Sequence, residues 1–276
     1  MKISAAEASL ATMNRGAAYQ AKGDLDKALR DFDEAIRLDP HNAGAYVDRG
    51  LVRSIKGAHD EALTDFEEAI RLNPNQWEAY YNRTTDLWDA GKRDEIVADL
   101  TRTMELNPSF PGAYARRADI YFRKGEVDRA ISDYTKAIDL DPKVGDLYMG
   151  RAQALVRRKR CSEAVRDLER AEQPLGQRSA ATLNSLGWLR ATSPVPMLRN
   201  GKKAIEMATK ACALTDWKKS AYIDTLAAAY AEAGDFAQAA KYESWAISMT
   251  DISVEARAGA QKRLALYKKG KPYREE

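Results

Sequence analysis

The segments RDFDEAIRLDP at residues 30–40 and TDFEEAIRLNP at 64–74 are nearly the same eleven letters set 34 positions apart. The interval recurs along the chain, in glycine at Gly23, Gly57, Gly91 and Gly125 and in proline at Pro40, Pro74, Pro108 and Pro142. A fixed period of this length marks stacked supersecondary units, each of which buries its second face only against a neighbour. A catalytic constellation needs no such period, so the repeat constrains the fold before composition does.

Within one period the spacing is helical twice. Tyr46, Arg49, Gly50 and Arg53 fall on one stripe, and Ala62, Phe66, Ala69 and Ile70 on another. Each unit therefore reads as a helical hairpin. Gly57 suits the left-handed residue that ends the first helix, and Pro74 ends the second because the residue before a proline is pushed out of helical angles. Small residues share two slots, one at Gly16, Gly50, Ala118, Ala152, Gly187 and Ala227, the other at Ala28, Ala62, Ala130, Ala164, Ala204 and Ala239. Opposite them stand Phe32, Phe66, Leu100, Tyr134 and Leu168, whose burial stabilises by about 1.5 to 3 kcal/mol each.

The pattern resembles the tetratricopeptide repeat. The residues that carry the resemblance are Gly16, Tyr19, Ala28, Phe32, Ala35 and Pro40, then Gly50, Ala62, Phe66, Ala69 and Pro74. The resemblance implies an all-α fold, an α-solenoid with a right-handed superhelix of about seven helical hairpins closed by a capping helix. It would run as a single array over 1–276. Repeats are expected at 9–42, 43–76, 77–110, 111–144, 145–178, 180–219 and 220–251, with the cap at 254–268. The third departs furthest, with Thr84, Ile96 and Thr103 in small-residue positions. The sixth carries an insertion near 191–201 that includes Pro194 and Pro196. The stretch from about 220 and the ending RLALYKKGKPYREE look like a module found at the end of bacterial tetratricopeptide proteins.

Arginine also steps by 34, at Arg15, Arg49, Arg83, Arg117 and Arg151, and Asp31, Asp65, Asp99, Asp133 and Asp167 each follow 16 residues later. Five stacked guanidinium groups suggest a track for phosphates. In an antiparallel hairpin turning at the glycine, however, each arginine faces its aspartate. The last two repeats lose both partners together, with Leu186 and Met207, then Leu226 and Tyr242, as an interhelical ion pair predicts.

Composition excludes several classes. The formal charge is +3, too slight to mark a nucleic-acid or membrane protein. Cys161 and Cys212 form neither a disulfide framework nor a CxxC site. No apolar stretch is long enough for a signal peptide or a membrane span, so a soluble, cytoplasmic protein is expected. Phosphate-binding loops, nucleophile elbows and zinc helices are absent from the sequence, and His41 and His59 fall in turns where solvation is expected. The expectation is a protein that is not an enzyme and takes no cofactor or metal.

Function is then expected on the inner, concave wall of the first helices. There the third to fifth repeats place Tyr81, Asn82, Trp88, Asp89, Arg116, Asp119, Phe122, Arg123, Met149 and Arg157, a set rich in the aromatic and arginine anchors of interfaces. The implied role is a scaffold or adaptor that binds a peptide or protein segment. The family's clamp for chaperone tails is disfavoured: Asn82 and Arg116 match it, but Val47, Leu51 and Gly112 hold the other three positions. A nucleic-acid-binding repeat using the arginines and RRKR at 157–160 is the disfavoured alternative, and a regulatory part of a larger enzyme complex is another.

Overall fold

The computed structural model describes residues 4–89, 91–172 and 180–275, with the side chains of Asp89 and Glu172 outside the description. Among the described residues the structure is all-α, fifteen α-helices and one 3-10 turn. In chain order they are α1 (Ala5–Ala21), α2 (Leu25–Leu38), α3 (Ala43–Ile55), α4 (His59–Leu72), α5 (Trp77–Asp89), α6 (Arg93–Leu106), α7 (Pro111–Lys124) and α8 (Val127–Leu140). There follow α9 (Gly145–Arg157), α10 (Cys161–Glu172), α11 (Ala180–Thr192), α12 (Gly201–Ala213), α13 (Ser220–Glu232), α14 (Phe236–Ser248) and α15 (Val254–Tyr267). No helix among them is long and apolar enough to cross a membrane.

Local chemistry sets the helix ends. Ser4 opens α1 with a reciprocal cap, its hydroxyl accepting from the Glu7 amide at 3.2 Å while the Glu7 carboxylate accepts from the Ser4 amide at 2.8 Å. Asn42 caps α3 by accepting from the Ala45 amide at 3.1 Å. Gly57 sits at φ +80°, a conformation that glycine adopts without strain, and sends the chain back into α4. The corresponding turn in the fifth hairpin is made by Lys159 at φ +59°, where a Cβ crowds the carbonyl.

The helices gather into two compact units, residues 1–140 and 141–276. In the first, each pair α1–α2, α3–α4, α5–α6 and α7–α8 packs as a hairpin, and α3 also touches α1 and α5. Successive first helices thus meet on one wall. A Cβ at Gly16 would lie 2.7 Å from Phe32 Cε1, and one at Gly50 would lie 2.9 Å from Phe66 Cε1, so in these two hairpins the phenylalanine ring takes the space a slot side chain would need. In the third hairpin the pair becomes Thr84 with Leu100, both buried. The larger slot residue is matched by the smaller partner.

The arginine and aspartate ladders meet. Asp31, Asp65, Asp99, Asp133 and Asp167 are buried and accept two bonds each from Arg15, Arg49, Arg83, Arg117 and Arg151, at 2.6–3.1 Å. Arg49 and Arg117 also reach the preceding hairpin, Arg49 to Asp33 at 2.8 Å and Arg117 to Thr101 Oγ1 at 3.0 Å. Beside its bonds within a hairpin, the ladder ties one repeat to the next.

In the second unit α9–α10, α11–α12 and α13–α14 are hairpins, α11 packs on α13, and α15 packs on α14. The insertion between α11 and α12 folds onto the unit: the 3-10 turn Pro196–Leu198 buries Leu198, whose carbonyl accepts from Arg190 at 3.1 Å. Glu243 of α14 stands at the core position that Phe32 and Phe66 fill earlier. It is fully buried beside Asp224 of α13, and Arg263 of α15 bonds both, at 3.2 and 2.9 Å. Burial first, and then the charge of Asp224, push the Glu243 carboxyl far above its ordinary range, so it keeps its proton.

Candidate binding pocket

The first unit holds a cavity of about 270 Å³ between α5, α6 and α7. Thr84, Thr85 and Trp88 line it from α5, Ile96 from α6, and Arg116, Asp119, Ile120 and Arg123 from α7. The floor is apolar, since Ile96 and Ile120 are buried. Trp88 stands at the rim, 38% exposed. The Arg123 guanidinium carbon lies 4.9 Å from its ring centroid and that of Arg93 5.9 Å, so the indole face meets two cations.

Arg116 is held in place. It stacks 4.4 Å from the Tyr81 ring and donates to Thr84 Oγ1 at 2.5 Å, and to the Tyr81 carbonyl and Thr85 Oγ1 at 3.3 Å. Tyr81 itself packs edge-on to Phe110 at 4.8 Å, and Phe110 in turn lies 4.8 Å from Trp77. Asp119 accepts from the hydroxyl of buried Tyr134. The hydroxyl is a consequence of tyrosine filling the bulky core position of the fourth hairpin, and burial pushes its pKa up.

Of the ten wall residues expected from the sequence, Trp88, Arg116, Asp119 and Arg123 line this cavity. Tyr81, Asn82 and Phe122 do not; Tyr81 supports Arg116 from behind. The Asp89 side chain lies outside the described residues, and Met149 and Arg157 belong to the second unit. Thr84, Thr85, Ile96 and Ile120 were not expected there. For two of them a signal was present, because Thr84 and Ile96, with Thr103, replace glycine or alanine in the third repeat's small positions. His59 is a correction too. It opens α4, and its Nδ1 lies 2.7 Å from the buried carboxylate of Asp86, across the gap to the next hairpin.

At Gly112, one of the three positions that do not match the chaperone-tail clamp, a Cβ would lie 2.8 Å from the Phe110 ring. Among the described residues no three His, Cys, Asp or Glu side chains gather so as to hold a metal ion. The Cys212 thiol is pushed up to about 11 by burial and stays protonated.

Two models of the tetratricopeptide repeat match the sequence, one at 10–42 and 111–144, the other at 43–76. The chain carries tetratricopeptide repeats. The matched repeats flank 77–110, where Thr84, Ile96 and Thr103 depart from the small-residue pattern. Solved structures share the repeat architecture. A crystal structure of MamA is 25% identical over 60% of this chain and 90% of that one, with a TM-score of 0.53. YrrB, described as a TPR protein with an unusual peptide-binding site, is 24% identical over 59% of this chain and 87% of that one, at 0.50. PilF of Pseudomonas aeruginosa is 14% identical over 94% of this chain and 99% of that one, at 0.62. Among curated proteins none matches.

Proposed function

We propose that the protein is a noncatalytic interaction scaffold whose first unit holds a peptide segment on the wall of first helices, with one apolar side chain in the cavity at Trp88. The observation that carries this reading is the cavity's construction. An apolar floor of Ile96 and Ile120 lies under an exposed indole, and Arg116 is fixed by three oxygens rather than left to find its geometry on binding. Preorganised anchors of this kind lower the entropy that binding must overcome. Arg116 and Arg123 line the opening with Asp119 between them on α7, and Arg93 lies against the Trp88 ring. A ligand with an aliphatic or aromatic side chain next to a carboxylate complements that set. The description of YrrB as peptide-binding agrees with this reading.

The phosphate-track alternative is weakened by the ladder. The five arginines that would follow a nucleic-acid backbone are bonded in pairs to buried aspartates. A peptide array probed with the protein tests the proposal. Selected peptides should carry an apolar residue beside Asp or Glu, and Trp88→Ala with Arg123→Ala should weaken them at least tenfold. Binding that survives both substitutions rules out this cavity.

A further inference from the structure

The segment after α15 behaves as a bound peptide. Gly270, at φ +67°, ends the helix with its amide donating to the Tyr267 carbonyl at 2.9 Å and the next amide, Lys271, to Leu266 at 3.1 Å. From there residues 271–275 run without regular structure onto α11 and α13. The Glu275 amide donates to the Thr192 carbonyl at 3.0 Å, and the Trp188 indole N–H donates to the Glu275 carboxylate at 3.0 Å. Arg274 donates to the Ala191 carbonyl at 3.4 Å and pairs with Glu232 at 2.5 Å. The Tyr273 ring lies 5.9 Å from Trp188, packs on the buried cluster of Ala227 and Ala231, and shares the Arg263 guanidinium with Trp188 at 5.6 and 5.5 Å.

The place of these contacts is informative. Trp188 follows the small-slot residue Gly187 as Thr85 follows Thr84 and Asp119 follows Ala118. Thr192 stands five positions after the slot residue, as Arg123 does. The segment therefore covers, in the second unit, the positions that wall the cavity in the first. Its contacts are those of peptide recognition: one main-chain bond to an open helix-end carbonyl, an aromatic anchor, a cation at a helix C-terminus and a carboxylate on an indole N–H.

We propose that the wall formed by α11 and α13 is a second recognition surface, for an extended partner segment of aromatic, basic and acidic residues in that order, and that residues 271–275 hold it closed. Joined to α15 by one glycine turn, the segment acts at an effective concentration on the order of millimolar. With an intrinsic affinity of about 100 μM or better for its own site, the tethered segment masks it roughly tenfold or more against any partner peptide.

A fluorescein-labelled peptide Lys-Pro-Tyr-Arg-Glu-Glu, the sequence of residues 271–276, tests this by anisotropy. It should bind saturably to the chain lacking 271–276 and at least tenfold more weakly to the full chain. Adding Trp188→Ala to the shortened chain should abolish binding, whereas Trp88→Ala should leave it unchanged, which separates this site from the cavity of the first unit. The full chain carrying Tyr273→Ala and Arg274→Ala should also open the site. A folded shortened chain that ignores the peptide overturns the proposal. So does loss of folding in both the shortened chain and the double variant, which makes the segment a structural staple. Dimerisation of the full chain through exchanged tails, read by light scattering, assigns the occupant to a second copy and also overturns it.

Discussion

Arg83 and Asp99 face each other across the α5–α6 hairpin in a two-pronged ion pair, Nε 2.8 Å from Oδ2 and Nη2 2.7 Å from Oδ1. Both are largely withdrawn from water. Burial raises the Asp99 pKa and Arg83 opposes it, with burial the stronger effect, so the pair contributes little beyond what its desolvation costs. Removing one partner is another matter. Arg83→Met and Asp99→Leu should each destabilise by about 3–5 kcal/mol, and the double variant by clearly less than the sum. Urea unfolding of the four chains measures the coupling; additive losses would show that the pair does not act as one.

The Gly50–Phe66 and Thr84–Leu100 pairs are two solutions to one packing problem. Gly50→Thr brings a Cβ within 2.9 Å of the Phe66 ring and should cost about 1–3 kcal/mol by overpacking. Adding Phe66→Leu recreates the third hairpin's pairing and should recover part of that loss, so that thermal unfolding places the double variant above Gly50→Thr alone.

Much of this was legible from residue spacing alone. The 34-residue step gives every hairpin from α1 to α10, and the paired loss of arginine and aspartate in the last two repeats anticipates the ion-pair ladder. The cavity was only half legible. Trp88, Arg116, Asp119 and Arg123 follow from counting along the first helices, but Ile96 and Ile120 come from positions that the pattern assigns to the core. Whether a core side chain also floors an opening depends on how far apart the neighbouring helices stand, and no single stripe encodes that. The Glu243–Arg263 bond was hidden for a similar reason. It joins α14 to α15, outside the repeat, so no period points to it, and a carboxylic acid in a phenylalanine position makes sense only once its partner is placed.

Lys159 holds a left-handed conformation that its counterpart Gly57 adopts freely. Lys159→Gly should therefore stabilise the second unit by about 0.5–1 kcal/mol, the relief of Cβ strain exceeding glycine's larger loss of chain entropy. Chemical denaturation read from a probe in that unit, such as Trp188 fluorescence, checks it. An unchanged or lower midpoint contradicts the strain.

Asp48, on the first-helix wall of the second hairpin, has its carboxyl pushed up to about 6 by burial and, secondarily, by the charge of Glu78. A carboxyl raised in the folded state contributes stability that is complete below its unfolded pKa and is lost as pH rises through 6. Between pH 4 and 8 the protein should therefore lose about 1–3 kcal/mol at this residue. Asp48→Asn should remove that dependence, leaving the variant more stable than the natural chain at pH 8 and close to it at pH 4. Unfolding midpoints of both chains across this range are the check.

Recognition on the inner wall of the first unit is most directly tested by photo-crosslinking with a benzoyl-phenylalanine placed singly at Thr85, on the cavity, or at Glu105, on the second helix α6. With a peptide chosen by the array, the account predicts a crosslink from position 85 that unlabelled peptide competes away, and none from 105. Capture from 105 alone, or equally from both, would contradict it.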